Sequence, residues 1–299
     1  MDPVPTLPPM VYEGSLASST VHSGALHIVG FEFDGTACFR KGTVRGPNAI
    51  RDVSDSLETY SPYLDLDLED LPAFYDLGNL PVRTASSTPS WAEGTAAYEA
   101  LFAGDLSQTG TRTLLLGGEH SVSLAPIRRY LDSFPELVVL HLDAHADLRD
   151  GFEGFHYSHA SIMRRVLDHF GPGHSLIQYG IRSGTREEFR WMRTQNTLCT
   201  ARGEFLDRVR AIPADRPVYL TLDVDYFDPC FVAGTGTPEP GGEDFHSFVS
   251  LAKLLRGKRF VGADVVELAP NIDPTGNSSV FAAKLVRELL LLLGSTRDR

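Results

Sequence analysis

The chain has 299 residues, 42% of them hydrophobic, and its 27 basic and 39 acidic side chains give a formal net charge of −12. This acidity disfavours binding to nucleic acid and favours a small cationic ligand. No segment has the length of apolar sequence that crosses a bilayer, so no membrane partner is expected. The three cysteines lie far apart and form no Cys-x-x-Cys pair, which favours a reduced, cytoplasmic protein.

The beginning of the chain differs from the rest in composition. Prolines and serines are frequent in residues 1–24, and these residues show little hydrophobic periodicity. They also lack the basic start and the apolar core of a signal peptide. We therefore predict that residues 1–24 form an N-terminal extension, a loose arm over the surface or a neighbouring subunit. Residues 25–299 are expected to form one domain, since no break in composition divides them.

Apolar runs that predict buried strands recur along the remaining chain. They lie at residues 25–31, 73–77, 113–116, 137–142, 175–181, 218–222 and 260–266. Helical patterns between them cover residues 90–102, 124–132, 161–169, 206–212, 245–255 and 280–293. Ser90 opens a capping box, Thr185 offers another helix start, and the last helix is expected to stop before Gly294. This alternation predicts an α/β fold in which helices cover both faces of a mainly parallel sheet.

Polar residues follow three of the predicted strands. Residues 117–121 read Gly-Gly-Glu-His-Ser, residues 143–147 read Asp-Ala-His-Ala-Asp, and residues 223–229 read Asp-Val-Asp-Tyr-Phe-Asp-Pro. In such sheets ligands bind outside the carboxyl ends of the strands, so the three motifs are expected to lie near one another. The two glycines allow a sharp backbone turn at a strand end, and His120 then supplies a ligand from that strand.

Side chains alternate along a strand, and this groups the polar residues of each motif by face. Asp143, His145 and Asp147 share one face, and Asp223 and Asp225 share another. So many oxygen and nitrogen ligands from two strand ends indicate a site for more than one metal ion. Oxygen-rich sites with some nitrogen suit Mn²⁺ better than Zn²⁺ or Cu²⁺.

The three motifs, in this order and each behind a strand, resemble those of the arginase, agmatinase and formiminoglutamase family of ureohydrolases. The resemblance covers about residues 31–293. It implies an arginase-like α/β fold, a three-layer αβα sandwich around a mainly parallel sheet of about eight strands. Residues 25–299 would then be the ureohydrolase catalytic domain. The family also assembles as trimers or hexamers, so a homotrimer or homohexamer is expected.

The resemblance implies a cofactor of two Mn²⁺ ions per chain and assigns their ligands. One ion would be held by His120, Asp143, Asp147 and Asp223, and the other by Asp143, His145, Asp223 and Asp225. Water activated by the ions would attack a guanidinium carbon, and Asp147 would pass the water proton towards the departing amine. Glu267 matches the glutamate that pairs with the guanidinium, and His159 matches a loop histidine that shuttles protons.

Charge also favours a cationic substrate. Four carboxylates balance two divalent cations, and a guanidinium would balance the hydroxide between them. A phosphate ester would add negative charge to an acidic cluster. The expected partner is therefore a small guanidino compound.

Local sequence favours agmatine over other guanidino compounds. Residues 33–50, 157–165 and 264–270 resemble the corresponding parts of agmatinase-type members. Arginases carry an asparagine-containing stretch after the Asp-x-His-x-Asp motif, whereas residues 148–153 here read Leu-Arg-Asp-Gly-Phe-Glu. The expected products are urea and putrescine, which would link the enzyme to polyamine biosynthesis. Arg149 could pair with a carboxylate, so other substrates stay open.

Three neighbours of the motifs receive weaker assignments. His141 has the strand parity of Asp143 and is either a satisfied buried histidine or a support for that ligand. Glu119 is expected to orient its surroundings without binding metal, and Asp228 is expected to form a turn before a proline.

Alternative functions remain open at the level of sequence. The first is another ureohydrolase, acting on arginine, guanidinobutyrate, guanidine or formiminoglutamate. A different reaction class is a metal-dependent amide deacetylase, which would use one zinc ion and fewer ligands. A non-catalytic protein that kept the fold is the third, although no expected ligand is missing.

Overall fold

The computed structural model describes residues 10–82 and 88–296. Its strands are β1 (Leu16–Ala17), β2 (Leu26–Phe31), β3 (Tyr60–Ser61), β4 (Leu66–Asp67), β5 (Tyr75–Asn79), β6 (Arg112–Gly117), β7 (Val138–Leu142), β8 (Ser175–Tyr179), β9 (Leu198–Cys199), β10 (Pro217–Asp223) and β11 (Arg259–Val266). Nine strands of this described part form one sheet in the order β1-β5-β2-β6-β11-β10-β7-β8-β9, and every neighbouring pair in it is parallel. The pair β3-β4 is a separate antiparallel ribbon.

The helices connect the strands and lie on both faces of the sheet. They are α1 (Gly46–Asp52), α2 (Thr88–Leu101), α3 (Leu106–Thr109), α4 (Leu124–Ser133), α5 (Ile162–Leu167), α6 (Arg186–Thr194), α7 (Arg202–Ala211), α8 (Phe245–Leu255) and α9 (Asn277–Ser295). No helix of the described residues combines the length and the hydropathy that a membrane span requires.

Apolar side chains of each strand pack alternately towards the two helical layers. In β6, Leu114 and Leu116 belong to the core that contains α8 and α9, whereas Leu115 belongs to the core that contains α2 and α4. All three side chains are fully buried. Burial on both faces explains why the strands read as unbroken apolar runs. The predicted α/β fold, with three layers around a mainly parallel sheet, is therefore confirmed.

The register of the four central strands aligns the ends that carry the motifs. Leu142 of β7 lies beside Leu222 of β10, and Asp223 lies beside Val266 of β11. Val265 in turn lies beside Leu116 of β6. Parallel strands in this register end at one level, so the residues that follow them lie close together at the carboxyl edge.

The N-terminal segment is packed more tightly than the sequence predicted. The sequence predicts that residues 1–24 form a loose arm, but in the described part of this segment β1 pairs with β5 and becomes the edge strand of the sheet. Tyr12 is buried, and its hydroxyl donates a hydrogen bond to the Ala283 carbonyl in α9 at 2.7 Å. A single aromatic anchor and a two-residue strand carry no periodic signal, so composition alone was misleading. Residues 1–9 lie outside the described residues.

Two helix ends differ from the predictions. Helix α2 begins at Thr88, so Ser90 lies inside the helix and does not open it. Helix α9 continues through Gly294 to Ser295. A Cβ atom at Gly294 would lie 2.6 Å from Leu71, so this glycine permits close packing instead of ending the helix. The capping box of Thr185 with Glu188 is present as expected.

Candidate metal centre

The turn after β6 brings His120 into the carboxyl edge of the sheet. A Cβ atom at Gly118 would lie 1.9 Å from the Phe33 carbonyl oxygen, so only glycine allows this close passage of two backbones. The main-chain N–H of Glu119 then donates to the same carbonyl at 2.8 Å. These contacts fix the chain directly before His120, which begins a short 3₁₀ helix.

The first group of ligand atoms surrounds the His120 ring. Its Nδ1 lies 3.0 Å from Asp143 Oδ2, 3.1 Å from Asp147 Oδ2 and 3.5 Å from Asp223 Oδ2. All four side chains are buried. Residues from the ends of β6, β7 and β10 thus converge on one point.

The second group lies on the other side of Asp143. His145 Nδ1 lies 2.9 Å from Asp225 Oδ2 and 3.6 Å from Asp143 Oδ1. Asp143 therefore faces the first group with its Oδ2 atom and the second group with its Oδ1 atom. Asp223 contacts the His120 ring through Oδ2, and its Oδ1 accepts the Asp225 main-chain N–H at 2.8 Å, just as Asp143 Oδ1 accepts the His145 main-chain N–H at 2.6 Å. A bridging role for Asp223 stays a prediction.

Several of these atoms lie close to one another without forming well-directed hydrogen bonds. His120 Nδ1 and Asp225 Oδ2 are buried and lie 3.0 and 2.9 Å from Asp143 Oδ2 and His145 Nδ1, but neither contact has the geometry of a hydrogen bond. Buried polar atoms are nearly always paired. Atoms that converge without pairing are typical of metal ligands, and the donor set of carboxylates and imidazoles fits hard divalent ions. The six residues could therefore hold metal ions.

The electrostatics of the cluster also favour the binding of positive charge. Burial and the neighbouring charge of Asp143 raise the pKa of Asp147 to about 7. Burial, Asp225 and Asp143 raise the pKa of Asp223 well above its ordinary value. Burial alone would lower the pKa of His120, but the three surrounding carboxylates raise it well above its ordinary value. The carboxylates thus favour protons on themselves and their neighbours, and divalent cations would satisfy the same demand.

The His120 ring is held from behind by a chain of hydroxyl and carboxyl groups. Its Nε2 lies 2.9 Å from Thr221 Oγ1, which donates to Asp264 Oδ1 at 2.7 Å. Asp264 is fully buried and also accepts from the Tyr219 hydroxyl at 2.8 Å. Such outer contacts fix the orientation of a ligating histidine. Thr221 was missed from sequence, although its position two residues before Asp223 places it on the same strand face.

His141 supports Asp143 in a similar way. Its Nε2 lies 2.8 Å from Asp143 Oδ2, and its Nδ1 lies 3.1 Å from Gln178 Nε2. Both alternatives for this residue therefore hold, since it is buried and satisfied and also contacts a predicted ligand. Asp228 forms the expected turn, because its carboxylate accepts the main-chain N–H groups of Cys230 and Gly241.

The two catalytic residues assigned by resemblance lie beside these groups. Glu267 follows β11, and its Oε1 accepts the main-chain N–H of His120 at 2.8 Å. His159 lies across a cavity of about 290 Å³, whose lining also includes His145, Asp147 and Cys38. Burial, with the charges of His145 and His120, lowers the pKa of His159 to about 4, so its ring is neutral at neutral pH.

Two predicted site residues hold a strained backbone. Asp147 has a φ of 55° and Glu267 a φ of 66°, and both angles lie in the left-handed region. Left-handed backbone is uncommon in residues other than glycine. The main-chain carbonyl of Asp147 accepts the N–H of Met163 at 2.9 Å, and the N–H of Glu267 donates to the Gly118 carbonyl at 2.8 Å. These contacts stabilise both conformations at the site.

The loop that borders the cavity is held by two arginines. Arg40 donates to the carbonyl of Thr235 at 2.7 Å, and Arg182 donates to the carbonyls of Glu239 at 2.7 Å and Asp225 at 2.6 Å. Neither arginine was predicted from the sequence, because each acts through backbone oxygens that are distant in the chain. Arg182 thus links the border of the cavity to a predicted ligand.

Comparisons with known proteins agree with the fold and the motifs. The sequence model of the Arginase family matches residues 25–292. A curated agmatinase of Bacillus cereus is 39% identical, with 88% of this chain and 90% of the relative covered. A guanidinopropionase of Pseudomonas aeruginosa is 32% identical, with 91% and 87% covered. Among solved structures, the proclavaminate amidino hydrolase of Streptomyces clavuligerus superposes with a TM-score of 0.84 at 26% identity, covering 96% of this chain and 98% of that one.

The match to the family extends over most of the chain and includes all three motifs. The matched regions cover 90% and 87% of the two curated relatives named above. The resemblance seen in the sequence is therefore confirmed. The chain belongs to the arginase family and is a ureohydrolase, a hydrolase that acts on carbon–nitrogen bonds.

Proposed function

We propose that this enzyme hydrolyses agmatine to urea and putrescine at a centre of two Mn²⁺ ions. The observation that carries the proposal is the pair of ligand groups that share Asp143 at adjoining strand ends. His120, Asp143, Asp147 and Asp223 would hold one ion, and Asp143, His145, Asp223 and Asp225 the other. The ions would supply Lewis acidity and a hydroxide nucleophile at neutral pH.

The side chains of the site would then bind the guanidinium and move protons. Glu267 would pair with the guanidinium, since its carboxylate accepts the main-chain N–H of His120, next to the first ligand group. Asp147 would accept the proton of the attacking water, because it borders both the first ligand group and the cavity. Asp147 would pass this proton on towards the departing amine, and the neutral ring of His159, which lines the same cavity, would shuttle protons by accepting one before it donates one.

Agmatine is favoured as substrate by charge and by relatives. The overall charge of −12 and the acidic cluster attract a substrate that is cationic at both ends. Relatives named agmatinase support the same substrate. Relatives named for other guanidino compounds are covered equally well by the chain. The chemical identity of the substrate beyond its guanidinium group therefore needs a direct test.

A carboxylate-bearing guanidino compound is the second candidate. Arg149 lines the cavity, and its guanidinium stacks on the Phe152 ring at 4.6 Å. A cation in this position could bind a substrate carboxylate, and a relative named guanidinopropionase supports that alternative.

A panel of guanidino substrates tests the proposal. Purified enzyme would be chelated, reloaded with Mn²⁺, and assayed for urea release from agmatine, arginine, guanidinobutyrate, guanidinopropionate and guanidine. We expect the highest kcat/KM with agmatine and no turnover after chelation. Faster cleavage of arginine or of a guanidino acid would replace the substrate. Full activity after exhaustive chelation would refute the metal mechanism.

Other parts of the proposal concern the whole protein. We infer that residues 25–299 form the catalytic domain and that the chain assembles as a homotrimer or homohexamer, which light scattering would measure. We also infer a cytoplasmic location, since the three cysteines are free in the described structure.

A further inference from the structure

The hydroxyl of Thr36 lies between Glu119 and His159. Its Oγ1 is 2.6 Å from Glu119 Oε1, 3.2 Å from the main-chain nitrogen of His159 and 3.4 Å from His159 Nδ1. Thr36 and Glu119 are buried, at 3% and 0% exposure, and neither has a part in the reaction proposed above. Three segments from distant parts of the chain thus meet at one hydroxyl group.

The hydrogen of this hydroxyl points to Glu119. Glu119 Oε1 accepts the main-chain N–H of Thr36 at 3.1 Å as well as the hydroxyl. An oxygen that accepts two hydrogen bonds is not itself protonated, and a proton on the carboxyl group would sit on Oε2. The hydroxyl therefore donates to Oε1 whether or not Glu119 is ionised.

The lone pairs of the same hydroxyl then face His159. These lone pairs accept the main-chain N–H of His159. The ring nitrogen Nδ1 can form a favourable contact with them only if Nδ1 carries a hydrogen. A neutral imidazole with its hydrogen on Nδ1 has a bare Nε2. That Nε2 lies 3.4 Å from Cys38 Sγ and can accept the hydrogen of this thiol, and both residues line the cavity.

We propose that Thr36, oriented by Glu119, is a positioning residue that holds His159 in the tautomer with Nδ1 protonated and Nε2 free. The inference rests on the proposed role of His159 in proton transfer. A free Nε2 facing the cavity can accept a proton and then donate it to the leaving amine, whereas the other tautomer would first have to lose its hydrogen. The ring is also fixed in place, because Glu119 lies two residues after the end of the central strand β6.

The inference is tested first in the unaltered protein. ¹⁵N chemical shifts of the His159 ring report which nitrogen carries hydrogen, and they can be measured with a diamagnetic divalent ion in place of manganese. We expect Nδ1 to be protonated and Nε2 to be bare. Protonation of Nε2 would overturn the inference, whatever the variants show.

Variants of Thr36 give the second test. Thr36→Val removes the hydroxyl at nearly the same volume, and we expect kcat for agmatine to fall by about 10- to 100-fold with KM nearly unchanged. Thr36→Ser keeps the hydroxyl and should retain kcat within about threefold. Equal rates for both variants and the unaltered enzyme would refute the inference.

A double-mutant cycle separates positioning from a purely structural role. His159→Ala alone should lower kcat, and adding Thr36→Val to it should have no further effect. A second loss of the same size in the His159→Ala background would show that Thr36 acts independently and would overturn the inference. Unchanged kcat in His159→Ala alone would instead refute the role of His159, so the two failures are distinguishable.

Discussion

Two buried clusters of charge in this molecule differ in how completely they are paired. Arg51 and Asp76 are both fully buried beside β5, and Arg51 donates to both carboxylate oxygens of Asp76 at 2.7 and 2.9 Å. Arg51 also donates to Asn79 at 2.7 Å, and Asp76 accepts the main-chain N–H groups of Tyr12 and Gly78. Every charge in this cluster has a partner within the fold.

The cluster at the carboxyl edge of the sheet has the opposite character. Its carboxylates and His120 are also buried and His145 is partly exposed, but atoms such as His120 Nδ1 and Asp225 Oδ2 form no well-directed hydrogen bond with the described residues. A paired cluster holds the fold together, whereas an unpaired one keeps its atoms available for an external charge. The comparison thus separates structural charge from functional charge by hydrogen-bond satisfaction and not by burial.

The largest effect is expected from a substitution that breaks the cluster at the carboxyl edge of the sheet. Asp223→Asn should lower kcat for agmatine by at least about 10³-fold, equivalent to about 4 kcal/mol of barrier, because a ligand charge is lost. Urea release and bound manganese per chain would be measured together. Asp215→Asn, at the opposite end of the same strand, is the control and should keep wild-type rates. Wild-type turnover in Asp223→Asn would contradict the assignment of the site.

The next largest effect is expected from a substitution that breaks the structural cluster. Arg51→Met should lower the free energy of unfolding by about 3–5 kcal/mol, because Asp76 is left buried without its partner. The kcat of the molecules that remain folded should stay within about twofold of the wild type. Denaturant unfolding and urea release would be measured, and the double variant Arg51→Met with Asp76→Leu should recover part of the loss. A selective loss of kcat would mean that this cluster also serves the reaction.

The pH dependence of stability extends the comparison to a buried histidine outside both clusters. His27 is fully buried away from the metal centre, and burial lowers its pKa to about 4 from an ordinary value of 6.5. The unfolded chain therefore binds this proton first as the pH falls. Stability should be complete above about pH 6.5 and should decline towards pH 4, by an amount on the order of 3 kcal/mol.

His27→Gln should remove this part of the pH dependence of unfolding. The matched control is His246→Gln, which alters an exposed histidine on α8. Thermal unfolding from pH 7 to pH 4 measures both variants against the wild type. An unaltered pH slope in His27→Gln would show that the histidine is protonated in the fold as readily as in the unfolded chain.

The smallest effect is expected on the free energy of unfolding when Mn²⁺ is added to the chelated protein. Mn²⁺ at about 100 times its dissociation constant should stabilise the chelated protein by about 2.7 kcal/mol, since only the folded state gathers the ligands. Asp143→Asn should lose most of this gain, because Asp143 contacts both ligand groups. Arg51→Met should keep the gain despite its lower stability. Equal stabilisation of Asp143→Asn would show that the ions bind elsewhere.

The sequence predicted the functional cluster better than the structural one. Each ligand motif directly follows a long apolar strand, and both the strand and its end are visible in sequence. The structural pair joins residues 25 positions apart, and nothing local indicates that Arg51 faces Asp76. Long-range pairing of single residues has no periodic signal.

The same reason explains what else the sequence could not predict. Strands β1 and β9 have two residues each, too few for any alternation. Thr36 was seen in a family-like segment, but its partners Glu119 and His159 lie 83 and 123 positions away. Gly294 suggested a helix end because glycine often marks one, and only the packing of Leu71 shows otherwise.

The left-handed backbone of Asp147 and Glu267 has a consequence for engineering. Each such conformation costs on the order of 1 kcal/mol, and glycine would relieve it. A search for thermostable variants would therefore select glycine at both positions as readily as at Asp65 or Asn196, which have similar angles. At Asp65 and Asn196 we expect the exchange to leave turnover unchanged, but at Asp147 and Glu267 it would remove the carboxylates that we propose to act in the reaction. Durability and activity conflict at these two positions, so an engineer should leave them unchanged.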